Sequence, residues 1–147
     1  MFNIDETKAT GKLTVEIKDK DGKIKDTREL TNLVVSDGLD FIASRMKDAT
    51  ATAMSHMAIG TGSTAAASGD SALGTEAARQ ALTSTTVNNN AVSYVASFAA
   101  GTGTGAITEA GILNANSGGT LLCRTVFSVV NKGASDSMTI TWTITIS

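Results

Sequence analysis

The chain contains 147 residues, of which 12 are basic and 14 are acidic, and its net charge is −2. This length corresponds to about one domain. The near-neutral charge argues against nucleic-acid binding, because a phosphate backbone is bound by clustered basic side chains. A single cysteine, Cys123, and a single histidine, His56, exclude an intramolecular disulfide and metal sites that need several such ligands. We therefore expect no cofactor and no bound metal.

The N-terminal sequence lacks a basic segment followed by an apolar one, so no signal peptide is predicted. No apolar run approaches the ~18–20 residues that cross a bilayer. We expect a protein that is made in a cytoplasm and has no membrane partner. Catalytic side chains are scarce, which predicts a protein that is not an enzyme.

The first predicted element is a charged hairpin at 11–31, which follows an N-terminal arm at 1–10. Apolar and polar residues alternate along it, and Asp21-Gly22 favours a two-residue turn. With that turn, its apolar face consists of Leu13, Val15, Ile17, Ile24 and Leu30. Asp26 and Arg28 fall on the same face, which predicts an edge strand whose charged ends reach water.

One short helix and several strands follow. The helix is predicted at 38–46, with Asp37 as its N-cap and with Leu39, Ile42 and Met46 on one face. Strands are predicted at 54–59, 81–87, 91–99, 107–113, 120–127 and 137–147, separated by glycine or asparagine clusters. We therefore predict an all-β fold in which residues 11–147 form a single antiparallel β-sandwich, a jelly roll or a related Greek key.

The last strand has the clearest pattern, because its apolar residues alternate regularly with threonines. The period of two places the apolar residues on one face and the threonines on the other. We expect the core residues of this strand to be Met138, Ile140, Trp142, Ile144 and Ile146.

Charge is distributed unevenly, because residues 1–50 contain 9 of the 12 basic and 10 of the 14 acidic side chains. Glu109 and Arg124 lie in strands that are otherwise uncharged, where a charged group normally needs a partner. Three interpretations stay open: a salt bridge between adjacent strands, a contact with a partner subunit, or two unrelated surface charges. The alternating charges near the hairpin turn are predicted to face solvent.

Three other features have simple structural explanations. The sequence from Gly60 to Ala65 fits a variant of a dinucleotide-binding fingerprint, but Gly69 interrupts the helix that would have to follow. We therefore expect a flexible surface loop. His56 and Cys123 lie within predicted strands and lack the neighbours that activate a general base or a thiolate.

From about residue 30 onward, the chain resembles small virion structural proteins of tailed bacteriophages, a group that includes capsid decoration (cement) and tail-fibre-associated proteins. The resemblance covers about residues 30–147, and the last 40 residues are the most specific part. The segments that carry it are 32–35, 57–62, 73–82, 107–114, 121–127 and 130–144. It implies no catalytic residues, and it leaves open whether the protein lies on the head or the tail.

From this resemblance we expect a capsid decoration protein on the outer surface of the virion. It would bind the major capsid protein and form homo-oligomers, either dimers or trimers. The alternatives are a tail or fibre-attachment protein and a β-sandwich that binds a carbohydrate or a host receptor. The candidate partner-contacting arm consists of Phe2, Asn3, Ile4 and Asp5.

Overall fold

The structure, a computed structural model, describes residues 8–147. Within this range the chain forms nine strands and one helix. The elements are β1 (Ala9–Lys18), β2 (Ile24–Val34), α1 (Ser36–Lys47), β3 (His56–Gly60), β4 (Glu76–Ala81), β5 (Ser84–Asn88), β6 (Ala91–Phe98), β7 (Gly105–Leu113), β8 (Leu121–Lys132) and β9 (Ser137–Ile146). The prediction of a mostly antiparallel β fold with one short helix is confirmed.

The strands form one curled sheet in the order β4-β3-β7-β8-β2-β1-β9-β6-β5. Its two halves meet where β2 pairs with β8, and this pairing is limited to Leu33 with Arg124 and Val34 with Cys123. One hydrophobic core lies inside the curl, with side chains from both halves, such as Ile112 and Trp142. Curling therefore lets the sheet bury one face against itself.

Strand β9 lies in the interior of this sheet, between β1 and β6. Met138, Ile140, Trp142 and Ile144 are buried, whereas Ile146, at the end of the strand, is partly exposed. Ala9 and Thr10, which the sequence assigned to an N-terminal arm, are the first residues of β1 and pair with β9.

The β1–β2 hairpin has the predicted register, with Leu13 opposite Leu30, but a different turn. The N–H of Asp19 donates to the carbonyl of Lys23, and Gly22 has a positive φ of 82°. The loop is therefore longer than the predicted two residues. Because the register shifts beside this loop, Ile24 points outward and is 59% exposed, and its predicted place on the apolar face is wrong.

Asp26 and Arg28 do not lie on an edge strand, because β2 is inside the strand order. They form an ion pair at 3.1 Å, and both are only partly exposed. Arg28 also donates to the carbonyl oxygens of Ser128 and Val129, at 2.7 and 2.9 Å. Its guanidinium therefore bridges β2 and β8 where backbone pairing between them has ended.

Helix α1 is rotated relative to the prediction. Leu39 and Met46 are 48% and 85% exposed, whereas Phe41 and Ile42 pack against the core. The helix starts one residue before Asp37, and its N-cap is Val35, which has no side-chain capping bond. The buried residue of the helix is Gly38, and a Cβ at this position would overlap the backbone carbonyl of Leu122 on β8.

The segment predicted as one strand at 81–87 belongs to two strands, β4 and β5. Between them the chain crosses from one half of the sheet to the other. The N–H of Leu82 donates to the carbonyl of Ser55, next to β3, and the N–H of Thr83 donates to the carbonyl of Val95 on β6. The two parts of this segment therefore pair with different halves of the sheet.

Candidate functional site

Two buried charged side chains lie together on the outer face of β7 and β8. Glu109 on β7 and Arg124 on β8 are 0% and 2% exposed. The Nε and one terminal nitrogen of Arg124 donate to the same oxygen of Glu109, at 3.0 and 2.8 Å. Of the three interpretations of this pair, the structure places the two charges in a salt bridge within one chain.

Glu109 also binds both ends of the loop at 61–75, which connects β3 with β4. Its two oxygens accept hydrogen bonds from the backbone N–H groups of Gly62, Gly74 and Thr75, at 2.9, 2.8 and 2.7 Å. Burial raises the pKa of Glu109. The hydrogen bonds from these N–H groups and from Arg124 lower the pKa by more than burial raises it, so the net pKa lies below the usual 4.5. The carboxylate is therefore charged at neutral pH.

Arg124 binds the middle of the same loop. One terminal nitrogen donates to a carboxylate oxygen of Asp70 at 2.8 Å, and the other donates to the carbonyl of Thr64 at 2.9 Å. Asp70 in turn accepts a hydrogen bond from the N–H of Ala67. We call Glu109, Arg124 and Asp70 the charge latch, because together they hold the loop against the sheet.

The glycines of this region make room for the latch. A Cβ on Gly62 would lie 2.5 Å from a carboxylate oxygen of Glu109, and a Cβ on Gly60 would lie 2.6 Å from the same oxygen. The segment from Gly60 to Ala65, which fits a dinucleotide-binding fingerprint, thus presents one backbone N–H group, that of Gly62, to an anion. That anion is the protein's own Glu109, and the loop is held in place where a flexible one was expected.

A second apolar cluster lies next to the latch. It consists of Val35, Ala58, Leu73, Leu113 and Leu121. Leu73 comes from the loop, and a Cβ on Gly111 would lie 2.7 Å from its Cδ1. The loop therefore covers part of the outer face with apolar contacts as well as with charges.

The single cysteine and the single histidine lie in different surroundings. Cys123 is fully buried, and burial raises the pKa of its thiol well above the usual value. The Nδ1 of His56 lies 2.8 Å from the hydroxyl of its neighbour Ser55. Within residues 8–147, no group of three or more His, Cys, Asp or Glu side chains could hold a metal ion. Over the same range, no helix is long and apolar enough to span a bilayer.

The proposed arm residues Phe2, Asn3, Ile4 and Asp5 lie outside the described part of the chain. Sequence reasoning missed two other buried charges, Lys132 and Asp136, which are 1% and 4% exposed. The Nζ of Lys132 donates to the carbonyls of Ala99 and Asp136 at 2.9 and 2.7 Å. Charged residues are scarce after residue 50, and this scarcity pointed to Glu109 and Arg124. The same signal could have identified Lys132 and Asp136.

The chain was compared with known protein families, curated proteins and solved structures, and none of them matches.

Proposed function

We propose that this chain is a structural protein of a tailed-bacteriophage virion, and most specifically a capsid decoration protein. It would bind the major capsid protein on the outer surface of the head after synthesis in the bacterial cytoplasm. The observation that carries this proposal is the outward surface of β6 and β9, which we call the threonine face. It consists of Ala91, Ser93, Val95, Ser97, Thr139, Thr141, Thr143 and Thr145.

The threonine face has no charged residue, which suits it to close packing against another protein. Charged side chains lose hydration when an interface forms, and the centres of protein interfaces are accordingly depleted of them. Hydroxyl groups can exchange hydrogen bonds with water for bonds to a partner; Ser97 and Thr139 already approach each other at 3.2 Å. Charges appear at the border of the face, on β1, as Lys12 and Glu16.

The rigidity of the face supports the same proposal. Strand β9 is paired on both sides, by β1 and β6, and its inward residues are buried in the core. A surface fixed in this way loses little conformational entropy on binding. Many copies, each adding a modest contact to neighbouring capsid subunits, would together stabilise the shell.

For the fold we propose the finer description that the sequence indicated, a β-sandwich with jelly-roll or related Greek-key connections. Its support is the single core that contains residues of both halves of the curled sheet, which face each other as two layers do.

The test of the virion proposal is the number of copies of this chain in purified particles of the phage that encodes it, measured by quantitative gel densitometry against the major capsid protein. A decoration protein gives one copy per capsid subunit, or a simple fraction of that. A few copies per particle would replace the head location with a tail or fibre location. Absence from the particles would overturn the proposal and favour the carbohydrate- or receptor-binding alternative.

The binding surface is tested by placing a charge in the centre of the threonine face. Thr141 is exposed and lies between Thr14 and Val95 on the neighbouring strands, so we expect Thr141→Arg to abolish binding to particles that lack the protein. Ala100→Arg is the matched control, because Ala100 is exposed in the turn after β6. Equal binding by both variants in a co-sedimentation assay would exclude the threonine face as the docking surface.

A further inference from the structure

The two ends of the sheet differ in how they are protected. Strands β4 and β5 each pair with one neighbour among the described strands. An edge strand leaves backbone N–H and C=O groups without strand partners, and proteins usually protect such edges with charges, prolines or bulges. An unprotected edge is a template on which another strand can pair.

Strand β4 carries such protection. Glu76 and Arg79 form an ion pair at 2.6 Å, and Arg79 also donates to the carbonyls of Ala115 and Gly118. The pairing of β4 with β3 contains a register shift next to Ile59. Charge and irregular geometry therefore both act against the addition of a strand at this end of the sheet.

Strand β5 carries none of these devices. All of its residues, Ser84–Asn88, are exposed and uncharged, and its register with β6 is regular throughout. Val87 is 70% exposed, although it lies opposite Val92 on the side of the sheet that faces the core. The edge at β5 is thus regular, uncharged and bordered by an uncovered apolar side chain.

We infer that β5 pairs with β5 of a second copy of this chain, in antiparallel orientation about a two-fold axis through Thr86. The strand is complementary to itself in this arrangement. Thr86 of one copy lies opposite Thr86 of the other, and Thr85 lies opposite Val87. Threonine pairs and pairs with β-branched neighbours are favourable across antiparallel strands, and no like charges meet.

The same pairing would cover Val87 and would enlarge the threonine face. Thr86 lies opposite Ser93, which belongs to that face, so the outward surfaces of two copies would become one continuous sheet surface. This self-association requires only the chain itself, and it does not depend on where the protein acts.

The experiment uses the purified full chain and measures its mass in solution by analytical ultracentrifugation. The wild-type protein is expected to be a dimer. Thr86→Lys and Thr86→Glu are each expected to be monomers, because two like charges would meet on the two-fold axis. An equimolar mixture of the two variants is expected to recover the dimer, since Lys then faces Glu. Ala77→Lys, at an exposed position on β4, is the matched control and should stay dimeric.

Circular dichroism and thermal unfolding verify that each Thr86 variant retains the fold, as expected for an exposed position. A monomeric wild-type protein would overturn the inference, as would a dimer that persists in Thr86→Lys or a mixture that stays monomeric. These measurements contain no phage component. A result that overturns the dimer would therefore leave the copy-number test of the virion proposal unaffected. Likewise, absence of the chain from virions would not contradict the dimer.

Discussion

Glu109 connects the sheet with both ends of the 61–75 loop, because its two oxygens accept hydrogen bonds from three backbone N–H groups and from Arg124. If a glutamine stood at this position, its side-chain NH2 group would face backbone N–H groups, which are also hydrogen-bond donors. The glutamine would also leave the buried guanidinium with Asp70 as its remaining carboxylate. Removal of one member of a buried ion pair is costly because the other charge stays desolvated.

We therefore predict that Glu109→Gln lowers the free energy of unfolding by about 3–5 kcal/mol, the usual cost of breaking a buried ion pair. Urea denaturation followed by circular dichroism measures this change. Glu29→Gln, at an exposed position on β2, is the control and should change stability by less than about 0.5 kcal/mol. A similar loss in both variants would contradict a special role for Glu109.

The glycines next to the latch allow a second prediction. Gly62→Ala should destabilise the protein by about 1–3 kcal/mol, the usual cost of overpacking, because its Cβ would lie 2.5 Å from the Glu109 carboxylate. Gly69→Ala lies in the same loop with open space around it and no positive φ. This control should be neutral or slightly stabilising. Equal thermal stability of the two variants would show that the carboxylate moves at no cost.

At the scale of elements, helix α1 shows how packing overrides helical periodicity. The predicted apolar stripe at Leu39 and Met46 is exposed, and the contact with β8 is made through Gly38. A Cβ on Gly38 would overlap the carbonyl oxygen of Leu122, and the N–H of Val35 donates to that same carbonyl at 3.2 Å. The absence of a side chain at one position thus brings the helix against the sheet.

Gly38→Ala should destabilise the protein, although the replacement of glycine by alanine in a helix usually stabilises it. Alanine is normally the better helix former by about 1 kcal/mol, but here its methyl group must displace either α1 or β8. We expect a lower melting temperature in differential scanning calorimetry. Met46→Ala, at a position that is 85% exposed, should leave the melting temperature nearly unchanged. An increase in stability for Gly38→Ala would mean that α1 can move away without loss.

For the whole molecule, the charge latch predicts sensitivity to acid. The N–H of Ala67, opposed by burial and assisted by Arg124, holds the pKa of Asp70 below its usual 3.8, and the pKa of Glu109 also lies below its usual value. A carboxyl group whose pKa is lowered by folding stabilises the protein above its unfolded pKa. That stability is lost as the pH falls through the folded pKa.

The free energy of unfolding should therefore be nearly constant around neutral pH and should decrease as the pH falls below the usual Glu value of 4.5. Urea titrations at a series of pH values measure this dependence. Glu109→Gln removes one of the titrating groups, so its stability should decline less steeply in acid. Identical slopes for the wild-type protein and the variant would show that Glu109 does not contribute to the acid transition.

The candidate site was only partly predictable. Glu109 and Arg124 could be singled out because a charge within an apolar strand needs a partner wherever the strand lies. Asp70 could not be assigned to the same cluster, since it lies in a loop without periodicity and is far from both partners in sequence. Nor could Gly62 be given its function, because the anion that it binds belongs to a strand 47 positions away.

The sequence by itself determined the antiparallel β class, the strand of alternating threonines and the register of the first hairpin away from its turn, because period-two alternation and pairing within a hairpin are local properties. Only the tertiary structure decided that the sheet curls around one core, that α1 turns Leu39 outward and that the loop after β3 closes over Glu109. Each of these depends on contacts between segments distant in the chain. Their geometry follows from how the elements pack and not from the pattern within any one of them.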